Sequence, residues 1–126
     1  MNNSLNIDRG ISIIIPTIGR ESINNLLKSI HSDTTLNNHE LIIIGSSIAI
    51  NKIFNFTKEY NCIKFVEQNV SSVSLSRNIG INHATQELIS LIDDDDLWLE
   101  KRTQTFTEAT NTYDKSIIFG LNRKFR

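Results

Sequence analysis

A single cysteine in 126 residues excludes an internal disulfide, and the apolar run around Cys62 marks it as a buried core thiol. No apolar run approaches the ~20 residues needed to span a bilayer, and the polar segment Met1 to Gly10 lacks the hydrophobic stretch of a signal peptide. A cytoplasmic location is the default, and peripheral contact with a membrane is compatible with it. Excess charge is also missing. The formal net charge of −1 gives no global attraction to nucleic acid or to an anionic surface, so any electrostatic function must come from local clusters. No linker, repeat or low-complexity stretch divides the chain, which reads as one domain over 1–126 with a polar arm at 1–10. What is present is ordinary globular material: 39% hydrophobic and 21% charged residues, in a chain long enough to bury roughly two-thirds of its unfolded surface without staples.

Five short apolar runs stand out: Ile11 to Ile15, Leu41 to Ile44, Cys62 to Val66, Leu88 to Ile92 and Ser116 to Phe119. Their brevity and β-branched content predict strands buried on both faces. Between the first two, Ile23, Leu26, Leu27 and Ile30 fall at i, i+3, i+4 and i+7, one face of an amphipathic helix. Ile50, Ile53 and Phe54 repeat the spacing, as do Leu75 and Ile79 within a helix predicted over Ser72 to Ala84. A fourth helix is expected over Leu97 to Asn111, with Trp98 as its core anchor. The one proline, Pro16, closes the first strand and disturbs no helix. Strands alternating with helices, through connections too long for hairpins, predict an α/β fold with a mainly parallel sheet covered on both faces.

Open sheets of this kind bind ligands beyond the carboxyl ends of their strands. There the sequence offers Pro16, Thr17, Ile18, Gly19 and Arg20 after the first run and Gly45, Ser46 and Ser47 after the second. Glu67, Gln68 and Asn69 follow the third, and Asp93, Asp94, Asp95 and Asp96 follow the fourth. Four carboxylates in a row repel one another unless water, a helix N-terminus or a cation relieves them. Two readings stay open. In one, the run is a solvated turn whose Asp96 caps a helix starting near Leu97. In the other, its oxygens hold Mg²⁺ or Mn²⁺ together with phosphate oxygens. Arg77 carries a planar fork suited to phosphate or to a carboxylate such as Glu67. Arg20 sits near a helix start, where a cation opposes the dipole, and either a ligand or solvent accounts for it. His31, His39 and His83 lack ligand-like spacing.

Taken in order, ISIIIPTIGR, ELIIIGSS and SLSRNIGINHATQELISLIDDDDLW resemble the N-terminal half of family 2 glycosyltransferases, from about Ile11 to Trp98. The resemblance implies a GT-A (Rossmann-like) fold and transfer of a sugar, with inversion, from a nucleotide diphosphate to a hydroxyl of a saccharide or lipid-linked acceptor. It places Thr17 by the nucleotide base, Arg77 by the nucleotide or diphosphate, and Asp93 or Asp94 near the ribose; Pro16, Ile18, Arg20 and Ser46 complete the candidate nucleotide-sugar contacts. Asp93 and Asp95 would be the metal-binding pair of a DxD motif, with Mn²⁺ or Mg²⁺ as cofactor.

Two departures stand against that pattern. Ser46 lies where the family has an acid that contacts the base, and Ile18 replaces a common aromatic residue. The family's general base lies in a C-terminal half, so the chain reads as truncated. Ile117, Ile118 and Phe119 would then form an unpaired edge favouring a homodimer. A phosphoacceptor receiver domain would need an acidic pair where Pro16 and Thr17 stand. The remaining alternative is a noncatalytic nucleotide-binding or protein-interaction module.

Overall fold

The computed structural model describes residues 10–33, 36, 38–69, 72–99, 102–104 and 108. The predicted strand Ser116 to Phe119, most of the predicted fourth helix, and Glu100 and Asp114 lie outside them. Strands β1 (Ile11–Pro16), β2 (Glu40–Gly45), β3 (Ile63–Glu67) and β4 (Leu88–Leu91) alternate with helices α1 (Ile23–His31), α2 (Ser47–Thr57) and α3 (Val73–His83). All pairings among them are parallel and the order is β3-β2-β1-β4. Pairing of Ile13 with Leu41 and of Ile14 with Ile42 puts odd-numbered β1 residues on one face and even-numbered ones on the other.

On one face Ile11, Ile13, Ile15, Leu41 and Ile43 pack against Ile23, Leu26, Leu27 and Ile30 of α1, Ile53 of α2, and Trp98. On the other, Ile14, Ile42 and Ile44 meet Ile79 of α3 and Ala84. Two central strands are thus buried on both faces, as β-branched runs lead one to expect. Among the described residues the two flanking strands are less so. β3 is only half-buried, and Cys62 just before it is exposed with φ 67°, which corrects the expectation of a core thiol. An apolar run at a sheet edge has a neighbour on one side only, and periodicity does not distinguish edge from centre.

The buried face of α1 is the predicted one. In α2, Ile53 is buried while Phe54 is largely exposed and leans on Phe65 at the β3 edge. In α3 the expectation holds in part: the helix is present and Ile79 packs on the sheet, but Leu75 is exposed and the buried positions are Ser76 and Gly80. The helix lies so close to the sheet that a Cβ on Gly80 would stand 2.4 Å from Ile14 Cγ2 and 2.8 Å from Ile44 Cδ1. Small residues permit that approach, whereas a Leu75 face would hold the helix away. Residues 97–99 are not helical and 102–104 are, so Asp96 does not cap a helix beginning at Leu97. Trp98 is nonetheless buried, and its indole N–H donates to Asp33 Oδ2 and Thr103 Oγ1.

Candidate functional site

The strand ends converge on a cleft of about 440 Å³. Its first wall is the β1 exit. Gly19 takes φ 90°, where a side chain would be strained, and its N–H donates to Thr17 Oγ1. The Thr17 hydroxyl in turn donates to Asp94 Oδ2 at 2.8 Å, and the Ile18 N–H donates to the same oxygen at 3.3 Å. Ser22 Oγ donates to the Asp94 carbonyl. Asp94 is therefore buried and committed to shaping this loop. Ile18 projects outward with 64% of its surface exposed.

Beyond β4 the turn is closed by the Asp96 N–H donating to the Asp93 carbonyl. It gathers one carboxylate oxygen each from Asp93, Asp95 and Asp96 within 4.8 Å of one another. Asp96 thus joins the two acids singled out in the sequence. Its 2% exposure is consistent with a charge balanced from within, and Arg102 lies near enough for the Asp96 charge to hold up a guanidinium pKa that burial lowers. Arg102 also covers the Trp98 ring, with its guanidinium carbon 4.9 Å from the centroid. Two further guanidiniums meet the acids: Arg77 Nη2 lies 3.0 Å from Asp93 Oδ1, and Arg20 Nη1, in the cleft, lies 3.0 Å from Asp95 Oδ2 and 3.7 Å from Asp94 Oδ1. Arg77 pairs with Asp93 rather than with Glu67, and it approaches the cleft through that acid.

The opposite wall is formed by the neutral residues Gly45, Ser46, Gln68, Asn69, Ser72 and Val73. Ser46 Oγ accepts the Ala49 N–H and so caps α2, while Ser72 Oγ accepts the Leu75 N–H and caps α3. Gln68, whose backbone N–H donates to the Gly45 carbonyl, is 8% exposed. Its side-chain oxygen accepts from Ser76 Oγ, and its amide nitrogen has no partner among the described residues. The sequence places Gln68 at a strand end but gives it no role. Nothing in the local pattern signals a carboxamide pinned by a serine eight residues on. Pro16, Thr17, Ile18, Arg20, Ser46, Asp93, Asp94 and Asp95 all line the cleft, so the fold brings together every site residue named from the sequence except Arg77, which stands one ion pair away.

The family described as Glycosyl transferase family 2 matches residues 12–126. Among curated proteins, Glycosyltransferase GlyA of Streptococcus pneumoniae is 29% identical over 119 residues, covering 90% of this chain and 17% of its own length. Among solved structures, S. aureus TarS 1-349 superposes with TM-score 0.69 at 17% identity, over 82% of this chain and 33% of that one. A 4-diphosphocytidyl-2C-methyl-D-erythritol synthase from Anaerococcus prevotii gives TM-score 0.64 at 16% identity, over 90% and 55%. The chain thus spans about a sixth of the curated relative and a third of TarS. The two structures speak for the fold alone, and the parallel sheet with helices on both faces is the expected α/β, GT-A-like architecture.

Proposed function

The chain belongs to glycosyltransferase family 2, and from that premise we propose that its cleft binds the donor of a sugar transfer, a nucleotide-diphosphate sugar. The observation that carries this reading is the division of the cleft: acids and guanidiniums on one wall, neutral hydrogen-bonding and apolar groups on the other. A diphosphate suits the first wall and a heterocycle the second. Val73 on the second wall and Ile18 on the first, both exposed at the cleft, offer apolar cover for a ring, and Ser46, Gln68 and Asn69 offer neutral polar contacts.

The donor set fits a hard divalent cation. Asp93, Asp95 and Asp96 supply only carboxylate oxygens, the ligands Mg²⁺ and Mn²⁺ prefer. Such an ion, when bound, supplies Lewis-acid neutralisation of charge on the departing diphosphate. The protein's own part is positional and electrostatic. Asp94 fixes the Thr17 loop through two hydrogen bonds, Asp93 is left to face the ribose or the ion, and Arg20 and Arg77 bring positive charge to the phosphate side. Transfer to a saccharide or lipid-linked hydroxyl, with inversion, also needs a base to take the acceptor's proton. No cleft carboxylate is assigned that task, because Asp93 and Asp95 would be donors to the cation and Asp94 is committed to the loop. The base is therefore proposed to come from outside the described residues.

Titration calorimetry with uridine, guanosine, thymidine and cytidine diphosphates, with and without Mn²⁺, tests the reading. Metal-dependent binding of at least one is expected. Absence of binding to all four would leave the protein-interaction module as the better account. A homodimer belongs to the same proposal, and light scattering checks it.

A further inference from the structure

The two guanidiniums that meet the acid cluster are held differently. Arg77 stands within α3, its Nε buried, against a single carboxylate. Arg20 follows Gly19, whose φ of 90° suits glycine, in a loop; its side chain is 47% exposed, and it straddles Asp94 and Asp95. The Asp95 carboxylate that Arg20 engages also belongs to the oxygen cluster able to hold a cation. A carboxylate whose charge is already answered by a guanidinium is a weaker ligand, and an ion on the Asp95 side repels Arg20.

From this geometry we infer that Arg20 is a stand-in cation: it occupies Asp95 when no ion is present and is displaced when one arrives. Resting on the donor-site reading above, the displaced guanidinium then turns to the diphosphate, which brings the negative charge it has lost. Arg20 so makes the bare protein a poor metal binder and couples the ion's affinity to the nucleotide's, since either ligand alone leaves a charge unanswered. Arg77, fixed in its helix, keeps its place throughout.

This assigns a sign that a simple binding role would not. Removing a positively charged residue should tighten Mn²⁺ in the absence of nucleotide, by roughly two- to fivefold, the range of a partly exposed ion pair. It should also shrink the factor by which uridine diphosphate improves Mn²⁺ affinity. The experiment measures free Mn²⁺ by electron paramagnetic resonance for the wild type, Arg20→Gln, Arg20→Lys and Asp95→Asn, each with and without uridine diphosphate. Tighter Mn²⁺ for Arg20→Gln, near-wild-type binding for Arg20→Lys, and a smaller nucleotide effect in Arg20→Gln are expected. Mn²⁺ binding that depends on Asp95 but is unchanged or weaker in Arg20→Gln overturns the stand-in role and leaves the donor site intact. No Mn²⁺ binding by the wild type or Arg20→Gln overturns both.

Discussion

The two ends of the sheet treat carboxylates in opposite ways. At the amino end Glu40 opens β2, and one of its oxygens accepts from Ser12 Oγ, the Thr85 N–H and Thr85 Oγ1, with Lys64 Nζ 3.6 Å from the other. Those hydrogen bonds outweigh the burial that opposes them and hold its pKa down to about 2. At the carboxyl end four acids crowd one turn, answered partly by half-exposed arginines. The first arrangement is closed: every group has its partner and nothing is left to bind. The second holds its charges with partly exposed partners, of which Arg20 is the one proposed to exchange. A saturated polar network contributes stability, and a crowded, exchangeable one contributes a place for a ligand.

The sharpest way to break that contrast is to substitute one acid at each end. Asp95→Asn should weaken Mn²⁺ by at least about 100-fold and abolish the rise in thermal midpoint that the ion gives the wild type. Glu40→Gln should leave that rise intact. Thermal melts with and without Mn²⁺, in the presence of uridine diphosphate, decide it, and an equal metal response in Asp95→Asn would move the site elsewhere.

Next in size is the stability carried by the amino end. Glu40→Ala removes a charged acceptor from three donors and should cost about 2 kcal/mol. The pH dependence has a definite sign. Because folding lowers the Glu40 pKa from 4.5 to about 2, its contribution is complete above about pH 4.5 and is lost as pH falls toward 2. Urea unfolding between about pH 2 and 6 should show this slope in the wild type and a flatter one in Glu40→Gln.

A smaller effect tests the neutral wall. With Ser46 in place of an acid and its hydroxyl capping α2, uridine, guanosine and thymidine diphosphates should differ by less than about tenfold, or 1.4 kcal/mol. Competition titrations measure it. A strong preference would show that other residues read the base, and Gln68→Leu would then be the first variant to examine. Smallest of all, Cys62 should react fully with a thiol reagent in the native protein, and Cys62→Ser should shift stability by less than about 0.5 kcal/mol.

Features carried by local spacing are legible in the residues themselves. Ile23, Leu26, Leu27 and Ile30 declare the buried face of α1, and four adjacent aspartates after an apolar strand declare the candidate site. Features set by what lies across space are not. The α3 face is only partly legible from periodicity, which finds Ile79 but not Ser76 and Gly80, because a close helix–sheet contact selects those two by size rather than by hydrophobicity. Cys62 and β3 escape a reading by hydropathy because sheet order is not written in a strand's own residues. The Glu40 network and the Gln68–Ser76 pair join residues whose polarity alone says only that they are polar. Asp96 gives a capping signal that the irregular segment at 97–99 does not use.

Gly80 has a consequence one turn back along its helix. Arg77 lies three residues earlier, nearly one turn away, so the depth at which α3 rests on Ile14 and Ile44 also sets how far its guanidinium must extend to meet Asp93. A methyl at position 80 cannot be accommodated without displacing those isoleucines or raising the helix. Raising the helix would stretch a 3.0 Å ion pair that Gly80 itself never touches. The absent side chain acts as a shim of zero thickness: it calibrates the electrostatics of the cleft by height, and Gly80→Ala should register there as a weakened Arg77–Asp93 pair.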